Sequence, residues 1–200
     1  MNYIWKTSFA KVLLMNQIIC LTGMPGSGKS LCARIFNKNG FTIIEMSSIV
    51  KDLMNQKKVE INNINLRNFS SSLRKKYGNE IVAKLVYKKI KALSKSKKTK
   101  ILINGIRSLY EVKYFKKMFP GIILIAISSP ERTRYKRIIA RARHDDMHTF
   151  KEFQWRENKE LSWGLKKAIS NADIIIYNNS TKQTLHKNIN IFIKKIKKYS

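Results

Sequence analysis

The sequence has few acidic residues, few cysteines and no long apolar run. Its 200 residues include 12 Asp and Glu against 41 Lys and Arg, a formal net charge of +29. Two cysteines, Cys20 and Cys32, cannot cross-link a domain of this size, which excludes a disulfide scaffold and favours a reducing, cytoplasmic location. The longest apolar runs, such as Ile122–Ile127, fall far short of the ~20 residues of a membrane helix, so we expect no membrane contact. A hydrophobic fraction of 44% is still sufficient for a folded core, which excludes a disordered basic tail.

The positive charge has two explanations. Nucleic-acid binding is one, because phosphate backbones attract basic surfaces. The other is base composition, because Lys (31 residues), Asn (17) and Ile (28) are all encoded by AT-rich codons. The charge therefore leaves nucleic acid as an open partner without establishing it. Arginine supplies only 10 of the 41 basic residues, so its positions are more informative.

The chain divides into a short extension and one domain. Residues 1–14 differ from the rest, and Lys6 and Lys11 interrupt any apolar segment, so we expect no signal peptide. Met15 is a plausible second start, directly before an apolar strand. We therefore predict that residues 1–14 are a disordered extension or a mis-assigned start, and that residues 15–200 form one domain.

Five apolar strands alternate with helices along residues 15–200. The predicted strands are Ile18–Thr22, Thr42–Met46, Ile101–Ile103, Ile122–Ile127 and Ile174–Tyr177. The predicted helices are Lys29–Lys38, Ser48–Asn55, Leu66–Lys76, Asn79–Ser94, Ser108–Met118, Glu131–Arg143, Phe150–Ile169 and Thr181–Tyr199. Continuously apolar strands indicate a parallel sheet covered on both faces, which predicts a three-layer α/β domain.

A glycine-rich motif lies between the first strand and the first helix. The segment Gly23–Ser30, GMPGSGKS, matches the Walker A pattern G-x-x-x-x-G-K-[ST] in the context that such a loop requires. Glycines let successive backbone N–H groups point at an anion, and the helix N-terminus adds its dipole. We therefore predict that ATP phosphates bind the loop residues Gly23, Met24, Pro25, Gly26, Ser27, Gly28, Lys29 and Ser30. Lys29 is the predicted catalytic lysine at the β- and γ-phosphates, and the Ser30 hydroxyl is a predicted Mg²⁺ ligand.

Arginines follow the third and fourth strands, at the carboxyl edge where open parallel sheets bind their ligands. They are Arg107 after the third strand and then Arg132, Arg134, Arg137, Arg141 and Arg143 after the fourth. Guanidinium groups bind phosphate in bidentate fashion, so we predict Arg137 at the ATP phosphates and Arg107 and Arg141 as catalytic clamps. Two or three of the series are expected to be structural or exposed.

The ordered set of motifs resembles an archaeal family of P-loop kinase-like proteins related to adenylate kinase and dephospho-CoA kinase, within the nucleoside monophosphate kinase-like P-loop NTPases. The matching stretches are Leu21–Ser30, Glu45–Lys51, Leu73–Gly78, Gly105–Val112, Arg134–Asp146, Glu160–Leu165 and Ala172–Asn178. This resemblance implies a P-loop NTPase fold with strand order 2-3-1-4-5 and a short lid around residues 132–150. It also implies ATP at the phosphate loop, and an acceptor held between strands two and three and the helices after strand two.

Carried over by position, the resemblance places Lys51, Arg74 and Arg107 at the phosphate of the acceptor. Three positions depart from the family pattern: Lys51 stands where Arg is usual, and Ser48 and Asn104 stand where Asp is expected. Asn104 is still expected to reach Mg²⁺ through water, although a neutral amide binds more weakly than a carboxylate.

The missing carboxylate has three candidates. Asp145, predicted as catalytic, and Asp146 either serve as metal ligands or pair with Arg141 and Arg143. Glu45 is the third candidate.

The sequence thus predicts an ATP- and Mg²⁺-dependent phosphotransferase acting on a small nucleotide or CoA-precursor-like acceptor, as a monomer or homodimer. The alternative is a degenerate nucleotide-binding protein with weak or no kinase activity, which could also bind nucleic acid.

Overall fold

Six strands form one sheet in the part of the chain that the structure describes. The computed structural model describes residues 3–5, 18–93, 100–142 and 147–198. In chain order the strands are β1 (Tyr3–Trp5), β2 (Ile18–Thr22), β3 (Thr42–Glu45), β4 (Ile101–Ile106), β5 (Ile123–Ser128) and β6 (Ile174–Tyr177). Their order in the sheet is β1-β6-β5-β2-β4-β3. The five strands from β2 onward are parallel, and counted on their own they have the predicted order 2-3-1-4-5, which is confirmed.

The sixth strand comes from the predicted extension. Tyr3–Trp5 pairs antiparallel with Ile174–Ile176 of β6 and forms an edge of the sheet. Three residues of the segment 1–14 are therefore paired with the domain. The other residues of that segment lie outside the described part of the chain.

The helices agree with prediction except in one place. They are α1 (Lys29–Lys38), α2 (Met46–Gln56), α3 (Asn63–Tyr77), α4 (Ile81–Leu93), α5 (Leu109–Met118), α6 (Glu131–Arg141), α7 (Phe150–Ser162), α8 (Leu165–Ser170) and α9 (Lys182–Lys198). The single helix predicted over Phe150–Ile169 is wrong, because Gly164 adopts φ +96° and separates α7 from α8. Glycine enters this left-handed region without a steric penalty, so the chain can turn there.

Two apolar layers cover the sheet. On one face, α1 and α9 pack buried residues such as Phe36 and Phe192 against the strands. On the other face, α2, α3, α4, α5 and α8 contribute residues such as Met54, Val86 and Phe115. Because both faces are covered, the central strands are buried along nearly their whole length, which confirms the three-layer architecture.

The predicted lid has a small apolar core of its own. Ile138 of α6 packs with Met147 and with Phe153 of α7, and Tyr135 lies against them. Residues 143–146, between these helices, lie outside the described residues. Across the described ranges, no helix combines the length and the apolarity that crossing a bilayer requires.

Candidate active site

The phosphate loop turns directly from β2 into α1. Its tight path requires glycine at Gly26 (φ +76°) and Gly28 (φ +109°), a region that other residues enter only with strain. A Cβ atom on Gly26 would also lie 2.6 Å from the carbonyl oxygen of Arg134. The loop is therefore built for close backbone packing, with the N-terminus of α1 at its end.

Side chains from the end of β6 and from α6 hold this loop in place. The Nδ2 of Asn178 donates to the carbonyl oxygen of Ser27 at 2.8 Å. Arg137 in turn donates to the backbone oxygens of Asn178 and Ser180, each at 3.1 Å. Arg134 donates to the carbonyl oxygen of Pro25 at 3.3 Å and is paired with the buried Glu157. Two of the predicted arginines thus brace the phosphate loop.

Lys29 is folded back onto its own loop. Its Nζ donates to the carbonyl oxygens of Gly23, at 2.5 Å, and Met24, at 2.9 Å. Burial lowers the pKa of Lys29 to about 7; the Glu160 carboxylate opposes this shift, whereas Arg107 adds to it. Burial and nearby cations disfavour the charged form of this lysine, so an anion bound at the loop would stabilise its ammonium group.

A cavity of about 910 Å³ opens beside the loop, at the carboxyl ends of the central strands. That volume is within the usual range for small-molecule sites. The basic residues described in its lining are Lys29, Arg34, Lys51, Arg67, Arg107, Arg137, Arg141, Arg156 and Lys182. The acidic ones among the described lining residues are Glu45 and Glu160. Such a surplus of cations suits a polyanionic ligand.

Most of the predicted site residues meet at this cavity. The lining includes Pro25, Gly26, Ser27, Gly28, Lys29, Ser30, Lys51, Asn104, Arg107, Arg137 and Arg141. Gly23 and Met24 contribute the carbonyl oxygens that hold Lys29. Asp145 and Asp146 lie outside the described residues, so their predicted metal and catalytic roles stay predictions.

Arg74 lies apart from the others. It is buried in α3, 2.7 Å from the buried Glu111 carboxylate, and also donates to the carbonyl oxygen of Ser70 at 3.1 Å. Its guanidinium lies 4.4 Å from the ring centroid of Trp163. Arg74 does not belong to the described lining of the cavity. These contacts join α3 to α5, and the contact of Arg74 with the acceptor stays a prediction.

Asn104 and Glu45 form a pair across adjacent strands. They lie opposite each other on β4 and β3, and Asn104 Nδ2 donates to both Glu45 carboxylate oxygens, at 2.7 and 2.9 Å. The buried Asn104 Oδ1 finds no hydrogen-bond partner among the described residues. Of the three candidates for the missing carboxylate, Glu45 is the one that the structure places at the cavity.

The oxygen atoms at this edge are of the kind that Mg²⁺ prefers. The Ser30 hydroxyl, the Glu45 carboxylate and the unsatisfied Asn104 Oδ1 are all hard donors, so the residues fit this ion. Within the described ranges no three His, Cys, Asp or Glu side chains form a metal cage.

Glu160 is the residue whose role the sequence did not reveal. It is 2% exposed, and its carboxylate contacts Arg67 at 3.4 Å and Arg107 and Arg156 at 3.3 Å each. Burial alone would raise the pKa of Glu160, but Arg107, Arg156 and Arg67 together hold it well below its usual range. A signal existed, because Glu160 opens the matching stretch Glu160–Leu165 and follows Arg156 by one helical turn.

The fold and the loop together define a P-loop protein of kinase fold. A dephospho-CoA kinase from Campylobacter jejuni has a similar structure (TM-score 0.59, 15% identity, covering 92% of this chain and 98% of that one). TT1252 from Thermus thermophilus gives a TM-score of 0.63 at 16% identity, over 90% and 97% of the two chains. A shikimate kinase from Acinetobacter baumannii, solved in complex with shikimate, gives 0.52 at 15% identity, over 89% and 93%. At these identities the similarity shows the fold alone.

Sequence similarity gives the family. The model of a family described as an AAA domain matches residues 19–161. A UPF0200 protein from Thermococcus onnurineus is 36% identical over 181 residues, 90% of this chain and 97% of that protein. A second, from Methanocaldococcus jannaschii, is 37% identical over 164 residues, 82% of each chain. The chain belongs to the UPF0200 family, which confirms the archaeal P-loop resemblance.

Proposed function

We propose that this protein is an ATP- and Mg²⁺-dependent phosphotransferase acting on a small phosphorylated acceptor of nucleotide or CoA-precursor type. The observation that supports it best is one continuous cavity, lined by the phosphate loop and by a separate arginine cluster around Glu160. Two anion-binding regions in one cavity suit two anionic ligands, the donor and the acceptor. The buried free thiols of Cys20 and Cys32 agree with a reducing compartment, so we also propose the cytoplasm as its location.

ATP would bind on the loop side of the cavity. Backbone N–H groups of the loop and the N-terminus of α1 would hold the β- and γ-phosphates. Lys29 would leave its carbonyl partners, become protonated and bind the same phosphates. Arg137 and Arg141, which also line the cavity, would balance the remaining negative charge.

Mg²⁺ would be held at Ser30, with Glu45 and Asn104 contacting its water ligands. The bound ion would neutralise phosphate charge as it builds up during transfer. The positive charge that this chain itself supplies comes from Lys29, Arg107 and Arg141.

The acceptor would enter beside Lys51 and Arg107. Its nucleophilic oxygen forms a bond to the γ-phosphorus while the bond between that phosphorus and the bridging oxygen of ADP breaks. The electron pair leaves with ADP, and the acceptor's proton, where it has one, passes to solvent. Positioning and charge stabilisation supply most of the catalysis in reactions of this class.

The proposal is tested by binding and turnover together. A thermal-shift screen of ATP with nucleoside monophosphates and dephospho-CoA should show an acceptor that raises the melting temperature further than ATP alone. The same acceptor should stimulate ADP release. Lys29→Ala should abolish that stimulation, whereas Lys38→Ala, an exposed lysine on the same helix, should retain it. ADP release equal in the wild type and in Lys29→Ala for every acceptor would sink the proposal.

A second candidate function is nucleotide binding with little or no transfer. It is favoured by Asn104, where the family pattern has Asp, because a neutral amide orders metal-bound water more weakly than a carboxylate does. Asn104→Asp should then increase ATP turnover. If this variant turns over no faster than the wild type, the amide does not limit activity.

A further inference from the structure

Three arginines from three different elements meet at the Glu160 carboxylate. Arg67 comes from α3, Arg107 from the turn after β4 and Arg156 from α7, which also carries Glu160. The carboxylate and Arg67 are almost fully buried, at 2% and 4% exposure. All four residues line the cavity. A buried carboxylate with three guanidinium partners leaves a local excess of positive charge beside the phosphate loop.

The contacts to Arg107 and Arg156 share one geometry. Glu160 meets each of them at Nε, from the side of the guanidinium, at 3.3 Å. Arg156 also donates from Nη1 to the Met147 sulphur, a weak acceptor, at 3.3 Å, so the Nη edge of Arg107 and the Nη2 of Arg156 are the groups that can bind phosphate. Arg67 is different, because its Nη2 contacts Glu160 and its Nη1 donates to the carbonyl oxygen of Asn63 at 3.3 Å. Arg67 is thus an anchor that ties the carboxylate to α3.

The cluster is also close enough to the donor side to act on the transferred group. Arg107 and Arg156 lower the pKa of Lys29, after burial, and Glu160 raises it. An anion bound by the arginines would therefore lie within electrostatic range of the phosphate-loop lysine.

We propose that Glu160 is a positioning residue for the phosphate of the acceptor. Anchored by Arg67, it holds Arg107 and Arg156 from the side and orients the Nη edge of Arg107 and the Nη2 of Arg156 for a dianionic phosphate. Arg67 and Arg156 thereby join Arg107 in the acceptor-binding region. This inference rests on the proposed function, because it assigns the cluster to the acceptor.

Glu160→Gln separates a positioning role from a simple charge effect, because the two predict opposite changes in phosphate affinity. Glu160→Gln removes a negative charge from the cavity, so the net attraction for an anion rises. If Glu160 only offsets charge, phosphate should bind this variant more tightly. If Glu160 positions the arginines, they repel one another once the carboxylate is lost, and phosphate should bind more weakly.

The test uses inorganic phosphate as the probe of the arginine cluster. Mg²⁺ and a non-hydrolysable ATP analogue first saturate the phosphate loop, and calorimetry then measures phosphate binding. We expect Glu160→Gln to weaken phosphate binding about tenfold, about 1.4 kcal/mol, with analogue affinity within about twofold of the wild type. Glu152→Gln is the matched control, because it removes an exposed carboxylate from the same helix and weakens the cap at the helix N-terminus, away from the arginine cluster. This control should leave phosphate affinity unchanged.

Equal or tighter phosphate binding by Glu160→Gln would overturn the proposal. So would an equal loss in Glu152→Gln, since it would show a general effect of destabilising α7. If Glu160→Gln does not fold, the assay uses the double variant Glu160→Gln with Arg67→Gln instead. This variant loses one negative and one positive charge, so the buried net charge is unchanged. The double variant should also bind phosphate weakly, and wild-type affinity would overturn the proposal. The measurement needs no turnover, so it can succeed or fail independently of kinase activity.

Discussion

Burial of Lys29 predicts proton uptake when a nucleotide binds. Burial lowers the pKa of this lysine to about 7, and ATP phosphates would raise it again by stabilising the ammonium form. At pH 8 about nine in ten Lys29 side chains are then neutral before binding, so each nucleotide should take up about 0.9 proton there. At pH 6 the uptake should fall to about 0.1 proton.

The sign of the pH dependence follows from that uptake. Because the complex holds more protons than the free protein, affinity should fall as the pH rises above 7, by at most about tenfold per unit. The fall should stop once the pH exceeds the pKa of Lys29 in the complex.

Calorimetry in two buffers measures the uptake directly. A non-hydrolysable ATP analogue is titrated with Mg²⁺ at pH 8 in HEPES and in Tris, whose ionisation enthalpies differ. The difference in binding enthalpy gives the number of protons taken up. Lys29→Arg is the control, because a guanidinium stays charged at every pH tested. Uptake by the wild type that matches Lys29→Arg to within about 0.2 proton would show that Lys29 is already charged before binding.

Three further substitutions test the site and its frame. Asn104→Asp places a second carboxylate beside that of Glu45, so it should lower the melting temperature in EDTA, and Mg²⁺ should restore it. Equal melting temperatures in EDTA and in Mg²⁺ would contradict the metal assignment. Gly26→Ala should cost about 3 kcal/mol of unfolding free energy. The control Gly40→Ala, where φ is +88° but no atom lies within 4 Å, should cost about 1–2 kcal/mol. Equal losses in denaturant melts would exclude the steric contact at Gly26. Glu111→Gln should cost about 3–5 kcal/mol of unfolding free energy by leaving the buried Arg74 without its carboxylate partner; a loss no larger than that of Gly40→Ala in denaturant melts would contradict the buried pair.

The sheet and the phosphate loop could be predicted because their signals are local. Each of the five parallel strands is built around an apolar run, although β3 ends in Glu45 and β4 contains Asn104 and Gly105. The loop Gly23–Ser30 carries its glycines, lysine and serine within eight positions. The break at Gly164 was missed because the apolar spacing continues through it, whereas the turn depends on one positive φ angle.

The arginine partners could not be predicted because they are set by tertiary contacts. Arg74 and Glu111 lie 37 residues apart in sequence, and Arg67 and Glu160 lie 93 apart. No periodicity within a helix reports such pairings. The contacts of Glu160 with Arg67 and Arg107 therefore form only when α3, α7 and the end of β4 come together in the fold.

Part of the positive charge of the protein lies in the lining of the cavity. Lys and Arg side chains such as Lys51, Arg141 and Lys182 line a cavity of small-molecule size, which suits a polyanionic ligand. A role in binding nucleic acid stays a prediction from the net charge. Salt-dependent binding to RNA or DNA would test it.

Transfer of radioactive phosphate from γ-labelled ATP to an acceptor decides between a phosphotransferase and a nucleotide-binding protein without transfer. The labelled ATP is incubated with Mg²⁺, the protein and the acceptor that gives the largest thermal shift, and the products are separated by chromatography. We predict label in the acceptor with the wild type and none with Lys29→Ala. Label that appears only as inorganic phosphate, or equally in both proteins, would contradict a phosphotransferase.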